Sequence, residues 1–226
     1  MENRSRVLFS RREKSQGEVA ADSVGVGAQY VPWPQMVRNL FKRDGYASVS
    51  FRGIAPGQEP RITVDAPSLM HAAIGVMGEV IELKNSGSRD NTILELGDIL
   101  FYMEAGIGVL DDAGLWSNAQ QEAMTSYVNE MFNECGIPEL VEHLVYRAAE
   151  FLDQAKRVWI YCNPMDRHAE NLMTSLVYLS AAVGTYIQHL GLEPDDILRA
   201  NQRKLGKRYP NGVYSNTDAT TRADES

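Results

Sequence analysis

The chain has 226 residues, is 44% hydrophobic and carries a formal net charge of −8 with only two cysteines. That length allows one domain of ordinary size, or one with an insertion, and the apolar content is normal for a globular protein. The acidic balance argues against a nucleic-acid-binding surface, no apolar run approaches the roughly 18 residues of a membrane span, and Cys135 and Cys162 make no metal-type spacing.

Residues 1–28 are polar and read as a flexible tail. The opening Met-Glu-Asn-Arg-Ser-Arg has no apolar core behind it, so no signal peptide is expected and a reduced, cytoplasmic setting is the default. A short helix is expected from about Pro34 to Arg43, with Pro34 in its first turn, Met36, Leu40 and Phe41 on its apolar face, and Gly45 as its stop. Residues 46–64 alternate weakly, as a small hairpin or an ordered loop that could serve as a lid or base-binding element.

Residues 65–110 carry the strongest pattern. Leu69, Ala73, Val76, Val80 and Leu83 are spaced 4, 3, 4, 3, and so are Leu96, Leu100, Met103, Ile107 and Leu110. Both are amphipathic helix patterns. Asp65 is placed to cap the first helix, and the short segment from Asn85 to Asn91 makes the pair an antiparallel hairpin. Glu79 and Glu82 lie on the first helix, Glu95 and Asp98 on the second, each pair at i, i+3 and so on one side of its helix. At about 100° per residue, Glu79 is roughly 40° from Leu83, at the edge of the buried stripe rather than opposite it.

Four carboxylates converging in a half-buried seam repel one another, and a hard divalent cation resolves this. Mg²⁺ prefers oxygen ligands and keeps waters, leaving room for phosphates. The bland alternative is a solvated acidic face, with Thr92-x-x-Glu95 acting as a capping box. His71 projects in nearly the direction of Glu82 but about 16 Å away, and is expected to pack rather than bind metal.

Further helices are expected at about 117–133, 138–160 and 166–190, the last stopped by Gly191. A final helix starts at Pro194, with Asp195 and Asp196 in its first turn, and ends near Lys207 before Pro210. Asn201, Lys204 and Arg208 share one stripe of it, spaced 3 and 4. Residues 213–226 are polar and read as a second flexible tail. Glu95–Met103 echoes Asn171–Leu179, and Glu79-Val-Ile-Glu82 is weakly echoed by Glu150-Phe-Leu-Asp153. The expectation is therefore a single all-α domain over 29–212: a metal-site hairpin (65–110) and a degenerate second hairpin (138–190), duplicated into a four-helix core.

Glu-x-x-Glu, twelve residues, then Glu-x-x-Asp resembles the MazG-like family of all-α nucleoside triphosphate pyrophosphohydrolases. The segment Ala200-Asn201-Gln-Arg-Lys204-Leu205-Gly-Lys-Arg208-Tyr209-Pro210-Asn-Gly212 resembles that family's closing motif. The two matches span roughly 80 of the 226 residues. The resemblance implies hydrolysis of a (deoxy)nucleoside triphosphate to the monophosphate and pyrophosphate. Mg²⁺, with Mn²⁺ as a substitute, would sit on Glu79, Glu82, Glu95 and Asp98. Glu79 or Glu82 would be the base, and Asn201, Lys204 and Arg208 would meet the phosphates. Tyr102, Trp33 and Asn85 are candidate base contacts. A homo-oligomer, with a dimer favoured, is implied as well.

One departure is that the closing motif follows the second hairpin, where family members pass almost directly from the Glu-x-x-Asp helix into it. The alternatives are a dUTP-specific or phosphoribosyl-ATP-like version of the enzyme, and a non-catalytic helical binder of nucleotide or partner. A di-iron carboxylate bundle needs Glu-x-x-His. The residues three before the histidines are Ser68, Leu140, Met165 and Tyr186, which excludes it.

Overall fold

A computed structural model describes residues 31–41, 49–51, 62–116, 132–161 and 165–222. The fold is all-α in its body. In chain order the elements are α1 (Trp33–Leu40), β1 (Val49–Phe51), β2 (Ile62–Val64), α2 (Ala66–Lys84), α3 (Arg89–Asp112), α4 (Ile137–Trp159), α5 (Met165–His189), α6 (Pro194–Arg208) and α7 (Asn216–Thr221). The strands form a small antiparallel pair, with Val49 opposite Val64 and Phe51 opposite Ile62. The expected helix at 117–133 lies outside the described residues, except for Phe132 and Asn133.

Two helical hairpins make the bundle. The α2/α3 hairpin packs on the α4/α5 hairpin through α2 and α4, while α6 and α1 lie against α3. The buried stripe of α2 includes Leu69, Ala73, Val76, Val80 and Leu83, the residues that set its period. On α3 the stripe widens, and from Leu96 to Leu110 most residues are buried because the helix is covered from several sides. An all-round buried helix loses its amphipathic signature.

Local chemistry sets the ends. Asp65 caps α2 by accepting from the Ser68 N–H at 3.1 Å, a contact worth about 0.5–2 kcal/mol. The start of α3 differs from the expectation. Ser88, with extended backbone angles, is the cap and accepts from the Asn91 N–H at 3.2 Å. Thr92 is already inside the helix, its hydroxyl donating to the Ser88 carbonyl at 3.0 Å. Thr92 and Glu95 therefore form no capping box, and the Glu95 carboxylate is left for the seam. Glu139 closes the start of α4 by accepting from the Gly136 N–H at 2.8 Å.

The second hairpin carries acids at the echoed positions, but they are neutralised within α4. Glu150 pairs with Arg147 at 2.7 Å, and Asp153 with Arg157 at 2.6 Å and with Lys156. The ending is ordered through residue 222, contrary to its reading as a flexible tail. The Tyr214 N–H donates to the Asn39 carbonyl at 3.1 Å, and the Tyr214 ring lies 5.7 Å from that of Tyr209. Ser215 then caps α7 by accepting from the Asp218 N–H at 3.0 Å. Among the described residues no helix is long and apolar enough to cross a membrane.

Candidate functional site

A cleft of ≈ 940 Å³ opens between α2/α3 on one side and α6/α7 on the other. This is the size of a small-molecule site, typically about 300–1,000 Å³. The acids of α2 and α3 line one wall. Glu79, Glu82 and Glu95 each bring a carboxylate oxygen within 4.8 Å of the others. Glu79 and Glu95 are half-buried and share a side-chain hydrogen bond, while Glu82 is exposed. Burial, then the charges of Asp98, Glu82 and Glu95, raises the Glu79 carboxyl to about 8. Burial, then Asp98 and Glu82, pushes Glu95 up in the same direction.

Asp98 lies beside this trio but faces α6. Its carboxylate accepts from Asn201 Nδ2 at 2.6 Å and pairs with Lys204 Nζ. Asp98 is 9% exposed and Asn201 fully buried, so this is the polar rivet between α3 and α6. Gly97 makes it possible: a Cβ there would stand 2.8 Å from the Asn201 Cβ. In this arrangement Asn201 holds Asp98 rather than facing the cleft, and its Oδ1 is buried with no hydrogen-bond partner among the described residues.

The opposite wall is cationic. Arg203, Lys204, Lys207 and Arg208 line it from α6, and Arg222 from the end of α7. Lys204 and Arg208 are thus brought to the cleft as their stripe implied. Arg203, Lys207 and Arg222 were not among the expected site residues. Lys207, three residues on from Lys204, could have been found by widening the α6 stripe; nothing local marks Arg203 or Arg222.

The remaining surface is aromatic. Phe41 stacks on His71 with ring centres 4.6 Å apart, and both line the cleft with Phe101, Tyr102, Tyr209 and Tyr214. Tyr102 fits flat against α2 because Gly75 has no side chain; a Cβ there would come within 2.6 Å of the ring atoms Cγ, Cδ1 and Cε1. Burial, then the charges of Glu79 and Asp98, pushes the Tyr102 hydroxyl up to about 12, so it stays a neutral donor.

Two candidate base contacts are elsewhere. Trp33 is a core residue, 9% exposed and edge-on to Phe101 at 6.5 Å. Asn85 closes the end of α2, its side chain donating to the Ile81 carbonyl at 2.8 Å. Neither lines the cleft.

The donor set of the trio suits a hard cation. Its ligand atoms are all carboxylate oxygens, gathered closely enough to share one ion, and their mutual repulsion is what a divalent charge would relieve. No protein-family model matches this chain, and no curated protein or solved structure matches it either.

Proposed function

We propose that this chain is a Mg²⁺-dependent nucleoside triphosphate pyrophosphohydrolase of the MazG-like kind, releasing a (deoxy)nucleoside monophosphate and pyrophosphate. The observation that carries the reading is one cleft in which a close trio of glutamates faces a row of cations. A nucleoside triphosphate needs both: divalent charge at the reacting phosphate and fixed cations for the rest of the chain of phosphates.

Glu79, Glu82 and Glu95 would hold the ion, with Asp98 available to it if Lys204 turns to substrate. A bound Mg²⁺ would neutralise phosphate oxygens and align a water. Lys204 and Arg208 would take the β- and γ-phosphates, Arg208 by a bidentate fork and Lys204 as a point charge. Water oxygen then bonds to the α-phosphorus, the bridging oxygen leaves with pyrophosphate, and a glutamate accepts the water's proton. Glu79 and Glu82 are the candidates for that last role, as carboxylates beside the ion. The aromatic floor formed by Tyr102, Phe41 and His71 would receive the base. On the same reading, the α4/α5 hairpin is a degenerate copy of α2/α3 in which internal ion pairs replaced the metal.

The test is incubation with each of the eight common (d)NTPs, with Mg²⁺ or with EDTA, and identification of products. Monophosphate and pyrophosphate, lost in EDTA and in Glu82→Gln, are expected. Diphosphate and orthophosphate would refute attack at the α-phosphorus.

A further inference from the structure

The segment after α6 is built into the cleft rather than trailing from it. It is pinned twice, by the Tyr214 N–H on the Asn39 carbonyl and by the Tyr214 ring against Tyr209. From there α7 packs along α6, and Tyr214, Ala219 and Arg222 line the cleft together with the α6 cations. The segment therefore joins α1 to the end of α6 and lines the cleft.

Arg222 stands out on backbone grounds too. It closes α7 with φ 48° and ψ 51°, the only non-glycine residue among those described with a left-handed backbone. That closing position is ordinarily filled by glycine or asparagine, which take the conformation at least cost. An arginine placed there, with its side chain on a cleft that already holds Arg203, Lys204, Lys207 and Arg208, extends a cationic row rather than serving the turn. Five cations on one wall form a recognition surface for a chain of phosphates, which arginine meets with a planar fork of donors.

We propose that Arg222 is a polyphosphate-binding residue and that residues 213–222 form part of the wall of the substrate cleft. This rests on the polyphosphate reading of the cleft, and the test separates the two. Binding of inorganic tripolyphosphate, in EDTA and with Mg²⁺ present, is measured by calorimetry for the full chain, Arg222→Met, Arg222→Lys and Lys204→Met. Mn²⁺ binding and the thermal midpoint are measured for each variant at position 222. Arg222→Met is expected to weaken tripolyphosphate about tenfold, with Arg222→Lys recovering to within about threefold. Mn²⁺ affinity should not move, because Arg222 is not one of the acid trio, and the midpoint separates lost binding from lost folding. On any nucleotide that is hydrolysed, the loss should fall on KM more than on kcat. If Lys204→Met weakens tripolyphosphate and Arg222→Met does not, the proposal fails while the cleft reading stands. If the full chain binds no tripolyphosphate either in EDTA or with Mg²⁺ present, both fail.

Discussion

Two glycines three residues apart on α2 should respond to alanine with opposite signs. In a helix interior, Gly→Ala ordinarily gains about 0.5–1 kcal/mol, because the unfolded chain has less freedom to lose. Gly78 is exposed, and a Cβ there meets nothing within 4 Å, so Gly78→Ala should show that gain. At Gly75 the new methyl would fall within 2.6 Å of three ring atoms of Tyr102. That ring cannot simply swing aside, since Phe101, His71 and Phe41 surround it at centroid distances of 5.3, 5.9 and 6.5 Å. Overpacking of this kind costs about 1–3 kcal/mol, and three contacts at once place it at the upper end. The net effect is a loss of about 2 kcal/mol, or a thermal midpoint lower by about 4–8 °C, against a rise of about 1–4 °C for Gly78→Ala. Urea unfolding with matched m-values gives both numbers. A stabilised Gly75→Ala protein would show that Tyr102 is not seated against α2 and would remove the floor of the cleft.

The acid trio makes a pH prediction. Glu79 rises from 4.5 to about 8 on folding, and Glu95 rises with it, so the metal-free folded chain keeps protons that the unfolded chain has released. Their contribution to stability is therefore full below about pH 4.5 and is lost as pH climbs to about 8. In EDTA the thermal midpoint of Glu79→Gln should decline less across this window; an identical decline in both proteins would refute the coupling. Mg²⁺ affinity should rise over the same window, as the ion displaces those protons, and calorimetry in buffers of different ionisation heat would count them. Trp33→Phe should cost about 1–2 kcal/mol of core packing and no hydrogen bond, since the indole Nε1 is buried with no hydrogen-bond partner among the described residues. A tenfold rise in KM for one base, with the midpoint unchanged, would restore Trp33 to the site.

What could be read in advance was whatever rests on local periodicity. The α2/α3 hairpin, its Asp65 cap and three of its four acids follow from i, i+3 and i, i+4 spacing alone. The start of α3 was misplaced because Ser88 and Thr92 are both competent caps, and backbone angles rather than residue type choose between them. For Asp98, spacing shows which face the carboxylate shares. It does not show that Lys204 and Asn201, more than a hundred residues on, meet it. Trp33 could equally have been a stacking surface or core, and only packing against Phe101 decides. The 213–222 segment was missed for a related reason. Its composition is polar, and what orders it is one backbone bond to Asn39 and one ring contact, neither of which leaves a periodic trace.

The rivet between Asp98 and Lys204 joins residues 106 positions apart. At a synthesis rate of about 5–20 residues per second, α6 leaves the ribosome about 5–20 s after the hairpin that carries the acids. That hairpin relies on near neighbours in sequence and can close early. For those seconds Asp98 is without the asparagine and lysine that hold it in the finished fold. The docking of α6 on α3 is therefore a late step, and the cleft between them takes shape only once α6 has been made.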